Sequence, residues 1–372
     1  MHGPIDRICI FGAGSIGCYV GGRLAAGGAP VTLIGRGRIG GEIAQHGLHL
    51  TDWQGATLDV TPNGLRFATT AEAAADAALV LVTVKSADTD TAGQSLARVL
   101  RDETVVLSLQ NGLGNAEQLK GHLIRQVVLA GMVPFNVVSR GRGAFHQGTE
   151  GALEVERNVV LAGFESSFVA AGLPLVQRSD LRPVQWAKLL LNLNNSINAL
   201  SGLPLKEQLS QRDYRRCVSL AQQEALALLE RAGIRPARLT PLPTGWIPTL
   251  LSSPDWLFAR LANRMLAIDP LARSSMWEDL EAGRRTEVDW LNGEIVRLAR
   301  AQGRAAPVNA RLLDLVRAAS ATGGAPRCLP ICASHPASPR VTQPDRGLTC
   351  LPHTRIIWCF RARACGRSRG RS

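Results

Sequence analysis

Short apolar runs alternate with helical periodicity through the first half of the chain. Residues 8–11, 31–34, 79–84, 104–109 and 127–133 are almost wholly apolar, as expected of strands buried on both faces of a parallel sheet. Between them lie helical patterns at 18–26 and a short Ala-rich one at 71–78, so the first half reads as α/β. Residues 48–50 and 56–60 flank Asp52-Trp53-Gln54-Gly55 and predict a hairpin inserted in the sheet. Further on, 153–155 and 159–161 look like short β pieces, with His146 in a Gly-rich loop close by. After Pro183 the β rhythm stops. Residues 185–202 read as one helix, and 212–232, 287–301 and 309–320 as amphipathic helices. The Pro-rich stretch 236–254 predicts an irregular connection, with Trp246 and Trp256 beside it assigned to packing. The pattern predicts three parts: an α/β domain over 1–180, a helical domain over 181–322, and a tail over 323–372 without periodicity.

Chemistry first shows in the first turn. The run Ile8-Cys9-Ile10-Phe11 passes into Gly12-Ala13-Gly14-Ser15-Ile16-Gly17 and then into a helix, the context in which a Gly-x-Gly-x-x-Gly turn binds a dinucleotide. Gly12 permits the tight turn, Gly14 lets a pyrophosphate approach the backbone, and Gly17 lets the helix pack on the strand. The phosphates then meet the N–H groups of the helix start, which Ala13, Ser15 and Ile16 complete. A carboxylate after the second strand would favour NAD; here Gly35-Arg36-Gly37-Arg38 follows it. A guanidinium suits a 2′-phosphate, so NADPH is the expected cofactor, with Arg36 as its contact. Lys85 and Asn111 end the third and fourth apolar strands and so face the ligand crevice. Asn136, just past the fifth, joins them as a candidate cofactor contact. The turn-forming habit of Asn-Gly would explain Asn111 by itself; its strand-end position adds the functional reading.

The helix 185–202 carries an unusual polar stripe. At about 100° per residue, Asn192 and Asn195 lie within about 40° of Lys188, while Leu189, Leu190 and Leu193 spread over the other side. A lysine among short amides suits carbonyl reduction. The ammonium hydrogen-bonds a ketone oxygen and delivers a proton as hydride arrives, while the amides orient the substrate.

Gly12-x-Gly14-x-x-Gly17, Lys85, Gln110-Asn111-Gly112 and Trp186-x-Lys188-x-x-x-Asn192 together resemble the ketopantoate reductase family. The stretch Ser274-Ser275-Met276-x-x-Asp279 followed by Arg285-Thr286-Glu287-Val288-Asp289-Trp290-Leu291-Asn292-Gly293 is similar to that family's second signature. The resemblance covers roughly residues 5–320. It implies a Rossmann-like dinucleotide-binding domain plus an all-helical C-terminal domain like that of 6-phosphogluconate dehydrogenase. It also implies NADPH-dependent reduction of 2-dehydropantoate to pantoate, on the route to pantothenate and coenzyme A. Lys188 would be the general acid, and Asn192 would hold the substrate. Asn111 would touch both cofactor and substrate, Ser275 the substrate carboxylate, and Glu287 the substrate hydroxyl or the nicotinamide ribose. Many relatives place a second Asn eight residues after the lysine, where this chain has Ser196; Asn195 or Asn198 is left to fill that role. Glu287 also has a plainer reading, as a first-turn acid of a helix that Thr286 caps. Competing functions are a reductase of another 2-keto or 3-keto acid on the same scaffold and a non-catalytic NADP(H)-binding sensor.

Composition changes this picture little. The chain has 372 residues, 45% of them hydrophobic and 19% charged, with a net charge of +12. Residues 325–372 hold nine Arg and one Asp, or +8 of that total. The basic balance therefore belongs to the tail, and no specific nucleic-acid partner is expected of the body. Five of the eight cysteines also lie in the tail, while Cys9 and Cys18 fall in a strand and a packed helix; this is not a disulfide framework. The seven histidines have no metal-ligand spacing, so no metal is expected. With neither a signal-peptide pattern nor an apolar run long enough to span a bilayer, a cytoplasmic protein without membrane contact is expected. The small-molecule partner is a keto acid, and the assembly a monomer or homodimer. The tail, rich in Cys, Pro, Arg and Ser, resembles an out-of-frame reading of a GC-rich gene and is expected to form no packed fold.

Overall fold

The computed structural model describes residues 7–261 and 272–322; the expectation for the tail falls outside them. The chain divides into two compact units, to which the described residues up to 189 and from 190 onwards respectively belong.

The apolar runs of the first unit become strands β1 (Ile8–Phe11), β2 (Val31–Ile34), β6 (Leu79–Val82), β7 (Val105–Ser108) and β8 (Val127–Met132), all mutually parallel where they pair. Their side chains alternate between two cores, as a pleated sheet covered on both faces requires. Ile8, Ile10, Leu79, Leu81 and Leu107 face one core, which includes Cys18, Val20 and Leu24 of helix α1 (Ser15–Ala26). Cys9, Val80, Val82 and Val106 face the other, against Leu96 of α3 (Thr89–Ala97) and Leu119 of α4 (Asn115–His122). With β5 (Arg66–Ala68), β11 (Leu153–Glu156) and β12 (Leu175–Arg178) the sheet has eight strands, in the order β12-β11-β8-β7-β6-β1-β2-β5. In chain order, β1 sends the connection to β2 on one side and pairs β6 on the other. That reversal is the switch point at which such sheets bind ligands.

Several local expectations differ from the structure. The predicted hairpin forms, as β3 (Leu48–Asp52) and β4 (Thr57–Val60), but in a separate sheet with β9 (Val137–Gly141) and β10 (Ala144–Gln147), in the order β4-β3-β10-β9. His146 lies within β10 (Ala144–Gln147), its Nδ1 2.8 Å from Thr51 Oγ1, not in a loop. The 71–78 helix is a 3₁₀ turn at Ala71–Ala74, and the 159–161 strand is a 3₁₀ helix at Val159–Gly163. Strand β5 (Arg66–Ala68), on the sheet edge, has only three residues and too little pattern to be foreseen.

The second unit is helical. Its long helix α9 (Arg212–Arg231) buries Cys217, Val218, Ala221, Ala225 and Leu229. The stretch expected to be irregular contains helix α10 (Ile247–Ser252), with Pro248 in its first turn, where a missing N–H costs nothing. Trp246 and Trp256 are 69% and 72% exposed, so neither packs as expected. In α11 (Asp255–Leu261) the buried aromatic is Phe258, two residues and about 200° round the helix from Trp256. The buried Arg215 guanidinium stacks on Phe258, 4.1 Å from the ring centroid, and donates to the carbonyls of Leu209, Ser210, Leu251 and Ser253 and to Asp255. Among the described residues no helix is long and apolar enough to cross a membrane, and no cluster of His, Cys, Asp or Glu could hold a metal ion.

Candidate active site

The glycine turn has the geometry its sequence requires. Gly12 sits at φ +122°, and a Cβ there would lie 2.7 Å from the Val84 nitrogen. A Cβ on Gly17 would come within 2.1 Å of the Gly12 carbonyl oxygen, so α1 rests directly on the turn. A Cβ on Gly14, in contrast, would meet nothing within 4 Å. Gly14 faces open space, as it must if a phosphate is to approach it. No side chain caps α1 and no acid lies in its first turn. The first N–H groups are thus left for an anion, with the helix dipole behind them. Thr83, which the sequence did not single out, donates from Oγ1 to the Gly12 carbonyl at 2.7 Å and holds the turn from β6.

The turn is also tied to the end of β2. Gly12 and Ala13 donate their N–H groups to the Ile34 carbonyl at 3.0 and 2.8 Å. A Cβ on Gly35 would lie 2.4 Å from that of Ala13. Arg36 follows at the start of α2 (Gly37–His46), exposed and without an ion-pair partner among the described residues, whereas Arg38 pairs with Glu42. These residues fit the phosphates of NADPH: a bare helix start for the pyrophosphate and a guanidinium beside it for the 2′-phosphate.

Lys85 and Asn111, both half-buried, follow the carboxyl ends of β6 and β7. They stand on a buried polar network. Ser86 Oγ donates to the Asn111 carbonyl at 2.7 Å, and so does Asn115 Nδ2, also at 2.7 Å. Asn115 Nδ2 reaches Ser86 Oγ at 3.2 Å, and Gln110 Nε2 donates to Thr89 Oγ1 at 2.7 Å. Asn136 is exposed, and Thr149 Oγ1 donates to its side-chain oxygen at 3.0 Å.

Lys188 lies in α6 (Arg182–Asn192), whose start is fixed by Asp180 Oδ1 accepting from the Arg182 N–H at 3.0 Å. Trp186, Ala187, Leu189 and Leu190 of this helix are buried. Lys188 is half-buried and its Nζ donates to the Val133 carbonyl at 2.6 Å. Val133 directly follows β8, so the ammonium is held at the carboxyl end of that strand. The single predicted helix is interrupted at Leu193, which keeps helical dihedrals, and resumes as α7 (Asn194–Ser201). Asn192 ends α6, half-buried, one turn beyond Lys188.

In the second unit Asn198 is not available to a substrate. It is fully buried. Its Nδ2 donates to the Leu203 carbonyl (2.9 Å) and to Gln208 Oε1 (3.1 Å), and its Oδ1 accepts from the Ser274 N–H (2.9 Å). The side chain braces α7 against the start of α12 (Ser275–Glu281). Ser274, not Ser275, caps that helix by accepting from the Trp277 N–H at 3.2 Å. Ser275 is exposed at the first helical position. Ser196 is buried too and donates to Asn292 Oδ1. Asn292 in turn reaches Asn309, which is held by Glu224. Asn195 is half-buried. Glu287 is 6% exposed. It precedes a 3₁₀ turn at Val288–Trp290, and α13 begins only at Asn292 (Asn292–Ala301). The expectation that Glu287 opens that helix with Thr286 as its cap is therefore wrong, and the dipole reading of Glu287 lapses with it.

Residues 8–158 match the family model described as ketopantoate reductase PanE/ApbA, and residues 180–320 match its C-terminal counterpart. A 2-dehydropantoate 2-reductase of Halobacterium salinarum is 30% identical over 85% of this chain and all of its own length. One from Pyrococcus horikoshii is 32% identical over 86% and 99%. The chain belongs to the ketopantoate reductase family. It is thus an NADPH-dependent oxidoreductase, and the residues at the glycine turn fit that cofactor. A crystal structure of a PanE/ApbA family ketopantoate reductase from Ralstonia eutropha matches this reductase with a TM-score of 0.73, at 31% identity over 85% of this chain and 99% of that one. The fold extends further, to a D-mandelate dehydrogenase solved with NADH and anilino(oxo)acetate, at 21% identity and a TM-score of 0.69.

Proposed function

We propose that this reductase converts 2-dehydropantoate to pantoate with Lys188 as the general acid. The order of groups along one edge of the sheet carries the reading. Moving from β2 through β1, β6 and β7 to β8, the carboxyl ends bring Arg36, the glycine turn, Lys85, Asn111 and, through the Val133 carbonyl, Lys188. Three strand spacings, about 14 Å, separate the end of β2 from that of β7, and over them Arg36 would hold the 2′-phosphate of a bound dinucleotide and Asn111 its nicotinamide end.

NADPH supplies the hydride when bound. The chain's part is to fix the keto group and protonate it. Lys188 Nζ hydrogen-bonds the keto oxygen, stabilises the charge that grows there, and transfers its proton as the carbonyl carbon is reduced. The hydride and this proton together make the new C–H and O–H bonds, and the lysine regains a proton from solvent. Asn111 orients the carbonyl from the cofactor side. Asn192, Ser275 and Glu287 are assigned to the substrate's remaining oxygens, Glu287 and Asn136 also to the nicotinamide half of the cofactor, and Asn198 to bracing alone. A cytoplasmic enzyme, working as monomer or homodimer without a specific nucleic-acid partner, completes the proposal.

Lys188→Ala tests the mechanism. Loss of a general acid is expected to lower kcat by about 10²–10⁴-fold while NADPH still binds, as its fluorescence reports. A variant with unchanged kcat would remove Lys188 from the chemistry.

A further inference from the structure

Below the strand ends, the buried network under Asn111 has a feature the reaction does not itself demand. Both lone pairs of the Asn111 carbonyl are occupied, one by Ser86 Oγ and one by Asn115 Nδ2, each at 2.7 Å. Ser86 and Asn115 are 1% and 4% exposed. The Asn115 amide can point only one way, since its oxygen could not lie 2.7 Å from a carbonyl oxygen. Its Oδ1 then faces Thr89 Oγ1 at 3.0 Å, and that hydroxyl accepts from Gln110 Nε2. Gln110 Oε1 is taken by Ser108 Oγ at 2.9 Å. The network is buried beneath the carbonyl, and the Thr89 hydroxyl also lies 2.9 Å from the Ser86 carbonyl oxygen. Meanwhile the loop above it contains Gly112 at φ +86° and Gly114 at φ +77°, a conformation with little hold of its own.

We propose that Asn115 is a positioning residue for Asn111. By gripping the carbonyl of Asn111 it fixes the peptide plane, and so the direction in which the Asn111 side chain leaves the sheet edge. Ser86, the neighbour of Lys85, grips the same oxygen from the β6 side. This rests on the reading that Asn111 contacts substrate or cofactor.

A double-mutant cycle of Asn111→Ala and Asn115→Ala tests it, read as kcat/KM for 2-dehydropantoate at a temperature where circular dichroism shows every variant folded. Each single variant is expected to lose about tenfold or more, and the double variant to stay within about twofold of Asn111→Ala, because sites acting through one another do not add. A merely structural Asn115 would multiply its loss onto that of Asn111→Ala, and this, or an Asn115→Ala variant with full kcat/KM, would overturn the proposal while the role of Asn111 stood. An Asn111→Ala variant with unchanged kcat/KM would overturn the reading of Asn111 itself. If Asn115→Ala does not fold, Ser86→Ala, which frees the other lone pair, replaces it in the cycle under the same criteria.

Discussion

Two of the three glycines of the cofactor turn separate packing from binding within one motif. Gly17 has a carbonyl oxygen 2.1 Å from where its Cβ would be, whereas Gly14 has nothing within 4 Å. Gly14→Ala is therefore expected to keep the melting temperature of the parent while raising KM for NADPH at least about tenfold, since the methyl group occupies only the phosphate's approach. Gly17→Ala is expected to lower the melting temperature as well, by a few degrees or more, because α1 must lift off the turn. Thermal melts beside NADPH titrations distinguish the two. The buried thiols make a second case. Burial raises Cys9, Cys18 and Cys217 from 9.0 to about 12. Between those values the unfolded chain gives up thiol protons that the folded chain keeps, so their contribution is whole below pH 9 and is lost as pH rises towards 12. Denaturant melts should show stability falling across that window. Replacing the three cysteines by Ala should flatten the fall, and an unchanged slope would contradict the assignment.

At the scale of elements, the start of α12 depends on two short side chains. Ser274 accepts from the Trp277 N–H, and Asn198 Oδ1 accepts from the Ser274 N–H. Ser274→Ala should cost about 1 kcal/mol in a denaturant melt, the usual worth of such a cap; no loss would mean that the cap is idle. The same elements show what the sequence disclosed. Strands buried on both faces were plain, because Leu79–Val82 or Val105–Ser108 has no polar residue to confuse the period before its last position. The positions of the glycine turn, Lys85, Asn111 and Lys188 were legible because each lies in a local pattern: a turn, a strand end, one face of a helix. The parts that were missed depend on partners far along the chain. Asn198 has the same amide as Asn192, and only its bonds to Leu203, Gln208 and Ser274 show that it is a brace. Thr83, Ser86 and Asn115 became visible only when β6 and β7 brought them beneath the site. Glu287 was set on the wrong kind of helix because a 3₁₀ turn and an α-helix share their first-turn chemistry.

In the whole molecule the proposed reaction draws on an ordered set of strand ends. The belt from Arg36 to Lys188 belongs to the described body, whereas most of the net charge lies beyond residue 322. A chain ending at residue 322 is therefore expected to match the full chain in kcat/KM within about twofold, and to lose whatever salt-sensitive adhesion to DNA the full chain has. The most direct measurement is the initial rate of NADPH oxidation by the purified full-length chain with 2-dehydropantoate, beside a panel of other 2-keto acids and beside NADH. The account predicts turnover with NADPH and 2-dehydropantoate well above every other pairing. Binding of NADPH without turnover of any keto acid, or a clear preference for NADH, would contradict it.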